Sequence, residues 1–202
     1  AGDALNSQAE DITFNNDGTK LFTLSDDGAM NIHTLSTPYD ISSGVTLVAD
    51  DGINWRTYQQ PWGSSNTIML PQTIRFNNDG TKMYLTEAVI NTSVSVGVVQ
   101  YNLATPFVPS STTTVQVLNL RAQFTKTNKA IHAMNFDDDG TRMYVSAGNF
   151  VPLTDHPHAV YELSIPFEIS SAKHVGTFNF LNASGGGVRA VGGVFSDDGN
   201  KY

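Results

Sequence analysis

The stretch Phe76-Asn77-Asn78-Asp79-Gly80-Thr81-Lys82-Met83-Tyr84 decides the fold, because the chain repeats it. Phe14-Asn15-Asn16-Asp17-Gly18-Thr19-Lys20-Leu21-Phe22 is a second copy and Phe136-Asp137-Asp138-Asp139-Gly140-Thr141-Arg142-Met143-Tyr144 a third. Phe195-Ser196-Asp197-Asp198-Gly199-Asn200-Lys201-Tyr202 is a shortened fourth. The leading phenylalanines stand 62, 60 and 59 residues apart, and a fixed period of this size marks a repeat architecture. Each copy reads as a β-hairpin. An aromatic closes one strand, Asn-Asp-Gly or Asp-Asp-Gly makes the turn, and a basic residue leads into the next strand.

A second signature recurs between the hairpins: Leu35-Ser36-Thr37-Pro38-Tyr39-Asp40-Ile41-Ser42-Ser43, Leu103-Ala104-Thr105-Pro106-Phe107-Val108-Pro109-Ser110-Ser111 and Leu163-Ser164-Ile165-Pro166-Phe167-Glu168-Ile169-Ser170-Ser171. Proline stops a ladder and fixes φ, so this is a strand-ending bend, with the following aromatic as its anchor. Strands are expected over 12–14, 21–24, 30–35 and 45–48 in the first period, with fourth strands over 113–118 and 174–180 in the next two. Sustained helical periodicity is absent. Four short strands per period, with turn chemistry at each connection, predict an all-β fold, a β-propeller of four-stranded antiparallel blades. A β-solenoid is the alternative, but its repeats are usually much shorter. Residues 1–10 read as a lead-in, followed by blades over about 11–70, 71–130 and 131–190 and the start of a further blade over 191–202. A propeller needs about four blades to close. The chain opens on Ala1 and stops at the first residue of a strand, so it is expected to be part of something longer.

Paired in this way, the two signatures resemble those of a propeller repeat family of secreted bacterial proteins and of phage tail or virion proteins. The resemblance covers nearly all of residues 11–202. It implies blade structure and an extracellular, cell-surface or virion location, and it carries over no catalytic residues. The second repeat departs from it at Val108-Pro109, where the others have Asp40-Ile41 and Glu168-Ile169.

Composition narrows the partners. The formal net charge of −8, with only 15 % charged residues, argues against nucleic acid and anionic membrane surfaces. No apolar run approaches the length of a membrane span. Without cysteine there is neither a disulfide nor a thiolate metal site. Asp137, Asp138 and Asp139 are dense enough in oxygen to suggest calcium. An EF-hand would need further ligands and a Glu twelve positions on, which are absent, so turn chemistry is the reading taken and no cofactor is expected.

Length variation separates the two ends of each blade. The connections from first to second and from third to fourth strand are constant, while the second-to-third loop and the link to the next blade vary. In an up-and-down blade these two sets lie on opposite faces, so all variation collects on one face, where binding residues are expected. Three features belong there. The link over 50–72 holds both tryptophans, Trp55 and Trp62, with Arg56 and Tyr58. Such aromatics suit sugar rings or protein hot spots, or they pin a long loop to the disc. The loop over 147–159 carries Asp155, His156 and His158, two imidazoles and a carboxylate that could hold a metal. Four residues before each repeated Phe stand Glu10, Gln72 and His132, with Val191 in the fourth copy. These are expected at the mouth of the central channel.

The functional expectation is a non-catalytic module that binds a glycan or a surface protein through the variable face. A structural component of a larger assembly is the alternative. A glycan-cleaving enzyme needs two carboxylates at a set separation. Glu10, Glu87, Glu162 and Glu168 are the only glutamates, and no Gly-x-Ser-x-Gly elbow or Ser-His-Asp order is present.

Overall fold

The hairpin motif folds as its sequence dictates. In the computed structural model, which describes residues 9–25, 27–50, 53–55, 69–89, 97–120, 122–124, 129–149 and 157–179, Gly18, Gly80 and Gly140 take φ near +70°. Asp79 Oδ1 accepts the Thr81 N–H at 2.9 Å and the Thr81 hydroxyl at 2.6 Å. Asp17 with Thr19 and Asp139 with Thr141 repeat both bonds. These bonds, the hydroxyl foremost, hold all three carboxyls below their ordinary value. Asp137 accepts the Arg142 N–H at 2.9 Å. The carboxylates that suggested calcium thus serve the turn, and Asp138 stands exposed beside them.

Among the described residues, twelve strands form three four-stranded antiparallel units. The first unit is β1 (Ala9–Phe14), β2 (Lys20–Ser25), β3 (Met30–Leu35) and β4 (Val45–Asp50). The second is β5 (Met69–Phe76), β6 (Lys82–Val89), β7 (Gly97–Leu103) and β8 (Thr112–Asn119), and the third β9 (Lys129–Phe136), β10 (Arg142–Asn149), β11 (Pro157–Leu163) and β12 (Ala172–Asn179). Within each unit strands pair in chain order. A single bridging pair, Ala88 with Ala130, joins the second unit to the third. The expected strands are present, with three differences. β1 reaches back to Ala9, into the expected lead-in. One turn of 3-10 helix follows the bend at Pro109–Ser111 and at Ile169–Ser171. β10 and β11 take up both ends of the loop expected over 147–159.

The two signatures lock onto each other. The N–H groups of Tyr39, Phe107 and Phe167 donate to the carbonyls of Gly18, Gly80 and Gly140 at 2.9, 3.0 and 2.9 Å. Each of these aromatics adopts φ between 55° and 60°, left-handed backbone that a bulky residue rarely takes. Its ring lies over the glycine, where a Cβ would stand only 2.3 Å away. The ring also meets the hairpin aromatic of its own unit: centroids are 5.4 Å apart for Phe14 and Tyr39, and 5.3 Å for Phe76 and Phe107 and for Phe136 and Phe167.

The cores between units are apolar. Phe22, Leu24, Met30, Trp55, Ile74, Met83, Leu85 and Tyr101 form the core between the first and second units. Tyr84, Val98, Leu120, Phe124, Ile131, Met143 and Tyr161 belong to the core shared by the second and third. Phe22 reaches Phe76 and Tyr84 reaches Phe136, both at 4.7 Å between centroids.

Gly80→Ala is expected to destabilise the protein by roughly 2–4 kcal/mol, combining backbone strain and a forced shift of the Phe107 ring. Gly176→Ala, which meets nothing within 4 Å, is the control and should be near neutral. Urea unfolding measures both, and equal effects would contradict the role of the ring contact. A pH effect is expected too. The Asp17, Asp79 and Asp139 carboxyls are depressed, so their contribution is full above the unfolded value of 3.8 and is lost as pH falls below it. Thr81→Val should move the Asp79 titration back up, as read by carboxyl NMR.

Candidate functional site

The first strands β1, β5 and β9 each carry one extra residue against their partner. Ala9 faces Ser25 and Asp11 faces Leu24, which leaves Glu10 unmatched. Pro71 faces Glu87 and Thr73 faces Thr86, so Gln72 is the extra residue of β5. Ile131 faces Ala147 and Ala133 faces Ser146, so His132 is the extra residue of β9. A β-bulge re-aims its side chain and is over-represented beside functional sites. The three polar residues expected at one end of the inner strands are therefore the bulged residues of those strands.

Adjacent bulges meet. His132 Nδ1 and Gln72 Oε1 lie 3.3 Å apart, with Gln72 and His132 only 6 % and 5 % exposed. Thr73 Oγ1 donates to the His132 carbonyl at 3.4 Å. Asp11, beside Glu10, reaches from β1 to β5, where its Oδ2 accepts from Ile74 N at 2.9 Å and pairs with Arg75 at 2.5 Å. Side chains next to the bulges thus satisfy the otherwise unpaired edges of the first strands, as buried backbone groups require. Glu10 itself is half-exposed. The row offers a carboxylate, an amide and an imidazole at one register, a set suited to recognising hydroxyl and amide groups.

Trp55 follows its loop-pinning reading, and His158 leaves the loop expected for it. Trp55 is not an open platform: it is 2 % exposed, packs edge-on against Tyr101 at 5.1 Å, and donates its backbone N–H to the Gly28 carbonyl at 2.9 Å. It pins the link between the first two units. Phe124, also 2 % exposed, follows β8 as Trp55 follows β4, in the core shared by the second and third units. Arg56, Tyr58 and Trp62 lie outside the described residues, as do Asp155 and His156. His158 is not on a loop. It is a buried residue of β11, 2.8 Å from Ser146 Oγ through Nδ1 and stacked on Phe178 at 5.2 Å. Counted back from Leu163 it matches Met30 and Val98, both buried, so its position is one of core packing. Among the described residues, no group of three or more His, Asp or Glu is placed to hold a metal ion.

No family model matches the chain, and no curated protein matches it. Solved structures do. A proposed 6-phosphogluconolactonase from Bacteroides uniformis superposes with a TM-score of 0.50 at 14 % identity, covering 92 % of this chain and 48 % of that one. The β-propeller domain of Cps50 (Swd1) from Myceliophteria thermophila gives 0.44 at 11 % identity over 85 % of this chain and 43 % of that one. A Lactobacillus plantarum protein gives 0.43 at 10 % over 84 % and 41 %. The chain spans somewhat under half the length of these proteins. The fold is all-β and propeller-like, and likeness at these identities speaks to the fold alone.

Trp55→Ala should cost roughly 3–5 kcal/mol of stability, the usual consequence of emptying a large buried aromatic site. Thermal unfolding followed by circular dichroism checks it; a change under about 1 kcal/mol, within the range of surface substitutions, would place the indole on the surface instead.

Proposed function

We propose that this chain is a section of a β-propeller that acts as a non-catalytic binding module of an extracellular or virion surface protein. The ligand, a glycan or a surface protein, is met at the end of the units where the first strands bulge. The observation that carries this reading is the row of bulges at Glu10, Gln72 and His132, with the last two within 3.3 Å. Repeated bulges hold three polar side chains at one register on a rigid sheet, the preorganisation that recognition needs. An amide and an imidazole beside one carboxylate favour the hydroxyls of a glycan. β4, β6 and β10 end, and β5, β7 and β11 begin, at this same end, and the specificity is assigned to the connections between them, which vary in length.

Binding to an array of immobilised glycans and surface proteins tests the reading. Gln72→Ala and His132→Ala are each expected to weaken binding roughly tenfold, the worth of one good hydrogen bond. Thr37→Ala, at the opposite end, should bind as the parent does. Equal binding by all three would remove the bulge row from recognition. Incubation with the bound glycan should release no product, and turnover would overturn the non-catalytic assignment.

A further inference from the structure

The bulge that carries His132 is held from the neighbouring unit. Three consecutive residues of β9 are met in turn by the second unit. Ala130 pairs with Ala88 of β6. The Thr86 hydroxyl donates to the Ile131 carbonyl at 3.3 Å, and the Thr73 hydroxyl to the His132 carbonyl at 3.4 Å. Thr73 and Thr86 stand opposite each other on β5 and β6, and both are buried. A buried hydroxyl costs stability unless it is bonded, and a bulge leaves its extra residue outside the ladder. Each supplies what the other lacks.

Gln72 takes hold of the ring. Its Nε2 faces the Pro71 carbonyl at 3.5 Å, which turns Oε1 towards His132, 3.3 Å from Nδ1. An amide oxygen only accepts, so Nδ1 carries a proton and donates it to this bond. With that nitrogen committed, a ligand read by the ring is read through Nε2. The two threonines thus hold the backbone of His132 and Gln72 its ring, all three from the second unit.

The fold does not require this threonine pair. At the equivalent register the first unit has Asp11 opposite Leu24, and the third has Ala133 opposite Ser146. Leu24 has no hydroxyl to give. Asp11 spends its carboxylate on Ile74 N and on Arg75, two and three places beyond the bulged Gln72. The first and second units pack together without the pair, so the pair answers to His132 rather than to the joint. We infer that Thr73 and Thr86 are positioning residues, which set the bulge of β9 so that His132 meets the ligand with its ring locked to Gln72. The recognition site is then shared by the second and third units. The inference rests on the reading of the bulge row as the place of recognition.

Nuclear magnetic resonance of the chain with 15N-labelled histidine, beside binding to the array of immobilised glycans and surface proteins, tests it. The Nδ1–H signal of His132 is identified by its loss in His132→Ala. Thr73→Val and Thr86→Val are each expected to shift that signal and to weaken binding roughly fivefold, the worth of one hydrogen bond. Thr86→Ser, which keeps the hydroxyl, should match the parent in both. Thr81→Val removes a hydroxyl bond at the hairpin end and should leave ring signal and binding unchanged. Binding that falls as far in Thr81→Val as in Thr86→Val overturns the inference, because the loss then follows stability alone. So does a ring signal that neither Thr73→Val nor Thr86→Val moves, whether or not the array binds. A parent chain that binds nothing, with a ring signal that does move, overturns the recognition reading alone, and the threonines keep their hold on His132.

Discussion

The contact on which the rest depends is that between the bend aromatic and the hairpin glycine. A Tyr or Phe in left-handed backbone is strained by about 1–3 kcal/mol, and the strain is held by what surrounds it. Its N–H bonds the glycine carbonyl, its ring covers the glycine Cα, and its edge meets the hairpin phenylalanine. The glycine is required twice, for positive φ and for the absence of a Cβ. Once this contact is made, the second and third strands cannot slip, because Leu103 N also bonds the Thr81 carbonyl at 2.8 Å, as Leu35 bonds Thr19 and Leu163 bonds Thr141. The contact then passes to the next unit. Phe22, Phe76 and Phe107 form one run of rings, and Tyr84, Phe136 and Phe167 another.

The joints between units use different chemistry on the same plan. Phe22, Ile32 and Phe107 share the core between the first and second units, and the second bend carries Val108-Pro109. Where Tyr84 and Gln100 face the third, it carries Glu168-Ile169, and the polar groups find each other. At the departure Val108-Pro109 the proline is buried. Proline also suits the position itself, the first residue of a 3-10 turn whose N–H would have no partner.

Much of the fold was legible because its signals are local and repeated. Asx-Gly turns, proline bends and alternating strands each follow from a few neighbouring residues. The bulges were not legible, since a bulge exists only relative to a partner strand, and no property of Gln72 or His132 announces that Glu87 and Thr86, or Ala147 and Ser146, will sit opposite their flanks. Their common offset from the repeated phenylalanine did single them out. Trp55 stayed open between two readings because an aromatic in a long link looks the same whether it meets water or a core; Tyr101, across the unit boundary, decides it. His158 was expected on a loop because the connection read over 147–159 took in the first residues of β11. Aligning the third strands on Leu35, Leu103 and Leu163 sets it beside Met30 and Val98, a signal that marks a buried site.

The two ends of each unit divide the work. At the hairpin end the polar groups are consumed by the turns themselves. Asn15 and Asn77 bond the lysine N–H five residues on. Asp17, Asp79 and Asp139 bond their threonines. Ser43, Ser111 and Ser171 close the bends. An end whose donors and acceptors are committed to its own backbone holds shape well and has little left to offer a ligand. At the opposite end the first strands carry an extra residue each, and the connections differ in length from unit to unit. The bulged end is therefore the one with groups and length left to vary, which is why the proposed recognition is put there. The stiffness of one end is what allows the other to vary without loss of register.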